Sequence, residues 1–199
     1  NVRVTALVDG KPVDERFGEM EFTNFGVSGP VIMDMSSSVP DWMAQGPLSL
    51  SIDLKPALTR EKLTERVRRD LEKFSARRFA GALKGLVPGP LIPMILALSD
   101  VPEDKPAAYV SSEEAEATAD LLKDIRLTVN GLWSFNNAVV TRGGVSLKEV
   151  DPATMRSKRC ENLYFAGEVL DLNGPSGGFN LQICWSTGWA AGGGAQQPG

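Results

Sequence analysis

Residues 162–193 limit what this chain can fold into more than any other stretch. A short apolar run there meets a run of turn formers, then a helix-like segment rich in small residues. Leu163, Tyr164, Phe165 and Ala166 read as a short buried strand. Gly167-Glu168 then places a carboxylate at its carboxyl end, where open α/β sheets bind ligands. Asn173-Gly174-Pro175-Ser176-Gly177-Gly178 can only turn. A helix is expected beyond it, with Leu181, Ile183, Cys184 and Trp185 near its start and the small residues Gly188, Ala190 and Ala191 further on. A helix entered through glycines leaves its first N–H groups bare. Those groups and the positive end of the helix dipole favour an electron-rich partner, such as a phosphate or the N1/C2=O edge of a flavin ring.

At 199 residues and 42% hydrophobic composition, the chain can bury an ordinary core in one domain or two small ones. A net charge of −4 gives no overall basic field, so neither nucleic acid nor an acidic membrane is an expected partner. No apolar run approaches the roughly 18 residues that span a bilayer, and no charged-then-apolar leader is present; a cytoplasmic protein is expected. Cys160 and Cys184 flank the turn without metal-ligand spacing. The chain has no histidine, which excludes His-based catalysis and zinc sites. It opens at Asn1, already inside a strand-like run, and is expected to be a piece of a longer protein.

Residues 2–8 are strand-like, Asp9-Gly10 signals a tight turn, and the chain up to Phe25 reads as a β-hairpin. Pro30 opens either a helix or another strand over residues 31–36, the helix being preferred. Leu48, Leu50, Ile52 and Leu54 alternate with Ser49, Ser51 and Asp53, a strand with one wet face. After Lys55-Pro56 the period changes. Leu63, Val67, Leu71 and Phe74 recur at helical spacing, which predicts a helix from Thr59, its N-cap, to about Phe79. Pro88-Gly89-Pro90 is a break, followed by a short helix over 91–98 and another from Ser111 to about Lys123. Residues 125–140 read as a hairpin about Asn130-Gly131. Residues 138–145 read as a strand ending at Gly143-Gly144, where backbone can approach a ligand or simply turn.

Charge is divided within the helical part. Residues 55–84 hold ten basic and four acidic residues, and residues 100–124 hold eight acidic and two basic, for local charges of +6 and −6. The two faces are expected to complement each other across a bundle. The sharper reading turns Arg66, Arg68, Arg69, Arg77 and Arg78 toward a phosphate-bearing substrate or partner.

Three blocks taken together resemble one family. They are Gly18-Glu19-Met20-Glu21-Phe22-Thr23-Asn24-Phe25-Gly26-Val27-Ser28-Gly29-Pro30, then Val140-Thr141-Arg142-Gly143-Gly144-Val145, then Leu163-Tyr164-Phe165-Ala166-Gly167-Glu168-Val169-Leu170-Asp171 with Gly177-Gly178-Phe179-Asn180-Leu181-Gln182. In this order they resemble the bacterial FAD-dependent oxidoreductases of the HI0933-like type, also described as BaiN-like or YhiN-like flavoproteins. The resemblance implies an α+β chain in three parts. A β-rich, barrel-like domain would occupy residues 1–56 and 125–150, with a helical domain inserted at 57–124. A strand-turn-helix over 151–199 would return to an α/β FAD-binding domain. No G-x-G-x-x-G turn follows a strand here, so the N-terminal FAD-binding half that grips the pyrophosphate is expected to lie outside this sequence.

Carried onto this chain, the resemblance places Thr141, Gly143 and Gly144 near the isoalloxazine, and Gly167 and Glu168 near the ribityl chain and pyrophosphate. Gly177, Gly178, Phe179, Asn180, Leu181 and Gln182 would offer backbone N–H groups to N1/C2=O, where negative charge develops on reduction. Asn180 also reads as a helix cap, Phe179, Trp185 and Trp189 as packing residues, and Cys184 as a small buried hydrophobe. The implied parent passes hydride from NAD(P)H through FAD to a small organic acceptor or oxygen. No catalytic acid or base is assigned, because histidine is absent and Tyr164 is expected in a buried strand. The alternative is a non-catalytic structural or dimerisation module that binds no cofactor in isolation and forms a homodimer.

Overall fold

A computed structural model describes residues 1–196; the last three residues of the Gly/Gln tail, and of the 151–199 segment, lie outside the described residues. Strands β1 (Val2–Val8) and β2 (Lys11–Gly18) pair antiparallel. Asp9 and Gly10 close the hairpin at φ 49° and 74°, the left-handed pair that a two-residue turn of the twist-matching type needs. A short hairpin follows, β3 (Glu21–Thr23) with β4 (Gly26–Ser28), and then two short helices, α1 (Pro30–Ser36) and α2 (Val39–Met43). Pro30 thus opens a helix, as its fixed φ favours. Strand β5 (Leu48–Asp53) buries Leu48, Leu50 and Ile52 on one face, the period-two pattern of its sequence. With β6 (Ile125–Thr128) it completes an antiparallel sheet of order β2-β1-β5-β6.

Between the neighbouring strands β5 and β6 the chain makes helices α3 (Arg60–Lys73), α4 (Phe79–Leu83), α5 (Ile92–Leu98) and α6 (Ser112–Lys123). The Thr59 hydroxyl caps α3 by accepting the Lys62 N–H. A reciprocal box of Ser111 and Glu114 caps α6. Helix α3 ends at Lys73 and does not reach Phe79. Residues 77–79 turn their backbone outward instead, Phe79 N–H to Lys105 O (2.8 Å) and Ala107 N–H to Arg77 O (2.9 Å), and so leave the helical ladder. Leu63 and Val67 of α3, Phe79 and Leu83 of α4, Ile95 of α5 and Leu122 of α6 form one core with Ile52 and Ile125 of the sheet. Each such side chain contributes about 1.5–3 kcal/mol by leaving water.

The two charged faces do meet. Arg60 pairs with Asp120, and Arg68 with Glu116 at 2.6 Å, joining α3 to α6. Lys105 reaches Glu114 at 2.6 Å. Solvent screens the Arg60 and Arg68 pairs, so they add little stability. They align the helices more than they hold them.

The fold divides into two compact units, Asn1–Val31 with Asp41–Asn130, and Ile32–Pro40 with Gly131 onward. The second unit holds α7 (Phe179–Ala195), the helix expected after the glycine turn. Its other elements depart from the sequence reading. Residues 132–140 form no strand and no hairpin about Asn130-Gly131; they are irregular apart from one tight turn at Phe135–Asn137. Residues 138–145 likewise contain only one bridge, Val145 to Leu170. Leu163 is exposed, and residues 163–166 are held by single bonds such as Ser157 N–H to Leu163 O (2.8 Å) and Phe165 N–H to Met155 O (3.0 Å). A buried strand needs a sheet on both sides, and no such neighbour is present among the described residues. No helix among them is long and apolar enough to cross a membrane.

Candidate functional site

All the residues expected to contact the cofactor lie in the second unit. Its frame is α7 and the segment that folds back on it. Thr187, buried on α7, accepts the Gly167 N–H on its hydroxyl (2.9 Å) and donates to Ile183 O (2.7 Å). In the last turn of α7, the Tyr164 hydroxyl donates to Gly194 O (3.3 Å). Gly194 itself admits no side chain, since a Cβ would stand 2.5 Å from Thr154 O. The 163–170 segment is thereby tied along one side of α7.

Against that segment lies the Gly143-Gly144 pair. Val145 N–H donates to Val169 O (2.8 Å) and Asp171 N–H to Val145 O (3.0 Å), so residues 143–145 run beside 169–171. Gly144 is required there, because a Cβ would come within 2.4 Å of Val169 O. Gly143, at φ 106°, has no atom within 4 Å of where its Cβ would be and presents bare backbone. Thr141 is exposed, and its neighbour Arg142 donates to Ser37 O (2.8 Å). Gly167 (φ 73°) starts a tight turn that includes Glu168, whose carboxylate is exposed.

The glycine turn before α7 is built from three anchors. The Asn180 side chain accepts from Gly174 N–H (2.8 Å) and donates to Gly174 O (3.2 Å), closing the loop. It does not cap the helix; the cap position is Gly178, at φ 93° with no side chain to offer. The third anchor comes from α1, where Asp34 accepts the Ser176 N–H at 2.7 Å. Gly177 and Gly178 keep open backbone, and the N–H groups of Phe179, Asn180 and Leu181 are among the first of the helix, which have no intrahelical acceptor. Gln182 turns its side chain to Ser186 on the same helix (3.1 Å).

The structure thus brings Gly143, Gly144, Gly167 and Glu168 together, and sets Gly177 and Gly178 in the turn before α7 and Phe179 through Gln182 in its first turn. Two functional supports escaped the sequence reading, Asp34 and Thr187. Cys184 is half-buried with its sulfur packed near Gly167. Phe179, Trp185 and Trp189 were expected to pack, yet they are 57%, 65% and 86% exposed. Within this unit α7 is covered on the side of Ile183, Cys184, Thr187 and Gly194, while Leu181, Trp185 and Trp189 stay exposed.

Comparison with known proteins gives the family. The pattern of the HI0933-like protein barrel and H2TH domain matches residues 1–140. A 3-dehydro-bile acid delta(4,6)-reductase of Clostridium scindens is 32% identical over 193 residues, 96% of this chain and 47% of that protein. A ribosomal RNA dihydrouridine synthase of Haemophilus influenzae is 31% identical over 95% of the chain and 44% of its own length. The same-named protein of Escherichia coli is 32% identical over 85% and 40%. The chain spans less than half the length of each of these relatives. With the domain pattern over most of its length and a relative this similar across nearly all of it, the chain belongs to the HI0933-like family.

Proposed function

We propose that this chain is the flavin-edge and substrate-side part of an FAD-dependent reductase that adds hydride to a carbon–carbon double bond of an electron-poor ring. The observation that carries the reading is the open glycine turn feeding α7, with Gly178 as a side-chain-free cap and Gly143 and Gly177 as bare backbone. These residues fit an electron-rich ring edge, because uncapped helix N–H groups and the helix dipole stabilise negative charge. Held by the backbone of Gly143, Gly177 and Gly178, FAD would supply hydride transfer between a donor such as NAD(P)H and the substrate.

This chain's own residues orient the site. Asp34 and Asn180 fix the path of residues 174–178, and Thr187 fixes Gly167 and hence the position of Glu168. Gly144 lets residues 143–145 lie flat against 169–171. The substrate chemistry follows from the relatives: one name describes reduction of double bonds in a 3-oxo bile acid, the other the formation of dihydrouridine. Both end with a saturated bond in a ring that also bears a carbonyl. The pyrophosphate grip, by this reading, belongs to an N-terminal half of the longer protein.

The test is the full-length protein. It should purify yellow and, without oxygen, lose that colour on addition of NAD(P)H and regain it on addition of an acceptor enone. A colourless full-length protein that gained no flavin when refolded with FAD would sink the reading.

A further inference from the structure

The chain from Leu172 to Gln196, which carries the glycine turn and all of α7, contains no charged residue. The charge that this turn meets comes from elsewhere. Asp34, on α1, accepts the Ser176 N–H on Oδ1 at 2.7 Å, across 142 positions of chain. That length is at the short end for an N–H donor, where charge-assisted bonds fall. Asp34 is half-buried and belongs to no ion pair among the described residues. Arg142 reaches the same segment three residues on, at Ser37 O (2.8 Å). The carboxylate therefore stands beside the turn with no cation bonded to it.

Accepting one backbone N–H does not require a charge. Elsewhere in this unit neutral groups suffice: the Thr187 hydroxyl takes the Gly167 N–H, and the Asn180 amide oxygen takes the Gly174 N–H. At Ser176 the acceptor is an anion, two residues before the Gly178 cap of α7. There it lies at the positive end of the helix dipole and offsets part of the field that the bare N–H groups set up. That same field is what would stabilise negative charge on a flavin's N1/C2=O edge.

We propose that Asp34 is a positioning residue with two effects: as an acceptor it holds the turn, and as a fixed negative charge it makes the flavin harder to reduce. The second effect rests on the flavin reading of the turn. Reduction adds negative charge at the N1/C2=O edge, and a like charge nearby opposes it. A flavin so biased gives hydride away more readily once it is reduced. That bias suits a reductase of carbon–carbon double bonds.

The test compares Asp34→Asn, which keeps an acceptor oxygen and loses the charge, with Asp34→Ala, which loses both. In the full-length, FAD-loaded protein, Asp34→Asn should move the flavin midpoint potential to more positive values, read against a reference dye. Sulfite adds to flavin N5 and leaves negative charge at the same edge, so its affinity, read by bleaching of the yellow colour, should rise roughly three- to tenfold. Reduction by NAD(P)H should become faster and reoxidation by an enone slower. Hydrogen exchange reads the turn without the flavin: the Ser176 amide should stay protected in Asp34→Asn and exchange faster in Asp34→Ala. A purely structural role would leave potential and sulfite affinity unmoved in Asp34→Asn. That result, a shift to more negative potential, or a Ser176 amide equally protected in Asp34→Ala would overturn the proposal and leave the flavin reading standing. If the potential shifts as expected and the reduced flavin ignores enones, the double-bond reading falls and the role of Asp34 stands. A full-length protein that takes up no flavin removes both.

Discussion

A single hydroxyl holds the turn at Gly167-Glu168. Thr187 is buried, and its oxygen is the acceptor for the Gly167 N–H. Thr187→Val keeps the shape and removes the acceptor, leaving a partly buried N–H unpaired at a cost of about 1–3 kcal/mol. In the full-length protein the expected result is a weaker flavin complex and faster amide exchange at Gly167, measured by flavin release on dilution and by hydrogen exchange. Unchanged exchange at Gly167 would show that the bond does not hold the turn. The Gly143-Gly144 pair offers a sharper contrast. Both have positive φ, so alanine strains either, but only Gly144→Ala drives a Cβ against Val169 O. Gly144→Ala should therefore cost clearly more than the roughly 1 kcal/mol expected of Gly143→Ala, measured by urea denaturation with flavin absorbance as the probe. At this scale the turns at these glycines were legible, because turn chemistry is local. Asp34 and Thr187 were not: the first reaches Ser176 across 142 positions, and the second matters only because Gly167 folds onto it.

Elements were legible where their signals lie within one turn of chain. Thr59 and Ser111 mark the starts of α3 and α6, and the alternation of Leu48, Leu50 and Ile52 marks β5. The expected strands at 132–140 and 163–166 failed for the opposite reason, since a strand is defined by neighbours that this stretch of chain does not supply. Where the helices leave the sheet, one lysine gathers the ends: Lys123 donates to Asp53, to Lys55 O (3.3 Å) and to Leu58 O (2.8 Å). Lys123→Met should destabilise by roughly 2–3 kcal/mol, because Asp53 is left buried without its cation. Adding Asp53→Asn to it should restore part of that loss, a coupling read by thermal melts of the single and double variants.

The charged faces between α3 and α6 have a pH signature. The hydrogen bond from Arg60 holds the Asp120 carboxyl below the usual carboxylate range, and Lys105, then the Ser111 N–H, do the same for Glu114. Lowered folded-state values stabilise above the unfolded pKa and lose that contribution as pH falls through the folded values. Melting temperature should hold from neutral pH down to about pH 5, then fall below about pH 4. In Arg60→Ala the acid-side fall should be shallower, since Asp120 no longer differs between folded and unfolded chains. An identical acid slope in both proteins would deny Asp120 this role.

For the whole molecule, the exposed aromatics of the second unit are the feature that the fold leaves open. A helix that is apolar all round belongs inside a protein, yet α7 shows Trp185 and Trp189 to solvent, and Trp133 is 60% exposed on the irregular segment before it. The relatives are more than twice as long as the segment they share with this chain, and on the proposed reading the cover for α7 comes from the rest of a longer polypeptide. Intrinsic fluorescence decides between that cover and a second copy of the chain. The 199-residue chain alone should emit as water-exposed indole, be quenched by iodide and bind a hydrophobic dye. The full-length protein should emit to the blue, resist iodide and lose emission to the nearby flavin. If instead the short chain alone emitted to the blue, resisted iodide and sedimented as a dimer, the face would be a self-association surface. The rest of the proposed longer polypeptide would then not be what α7 was built to meet.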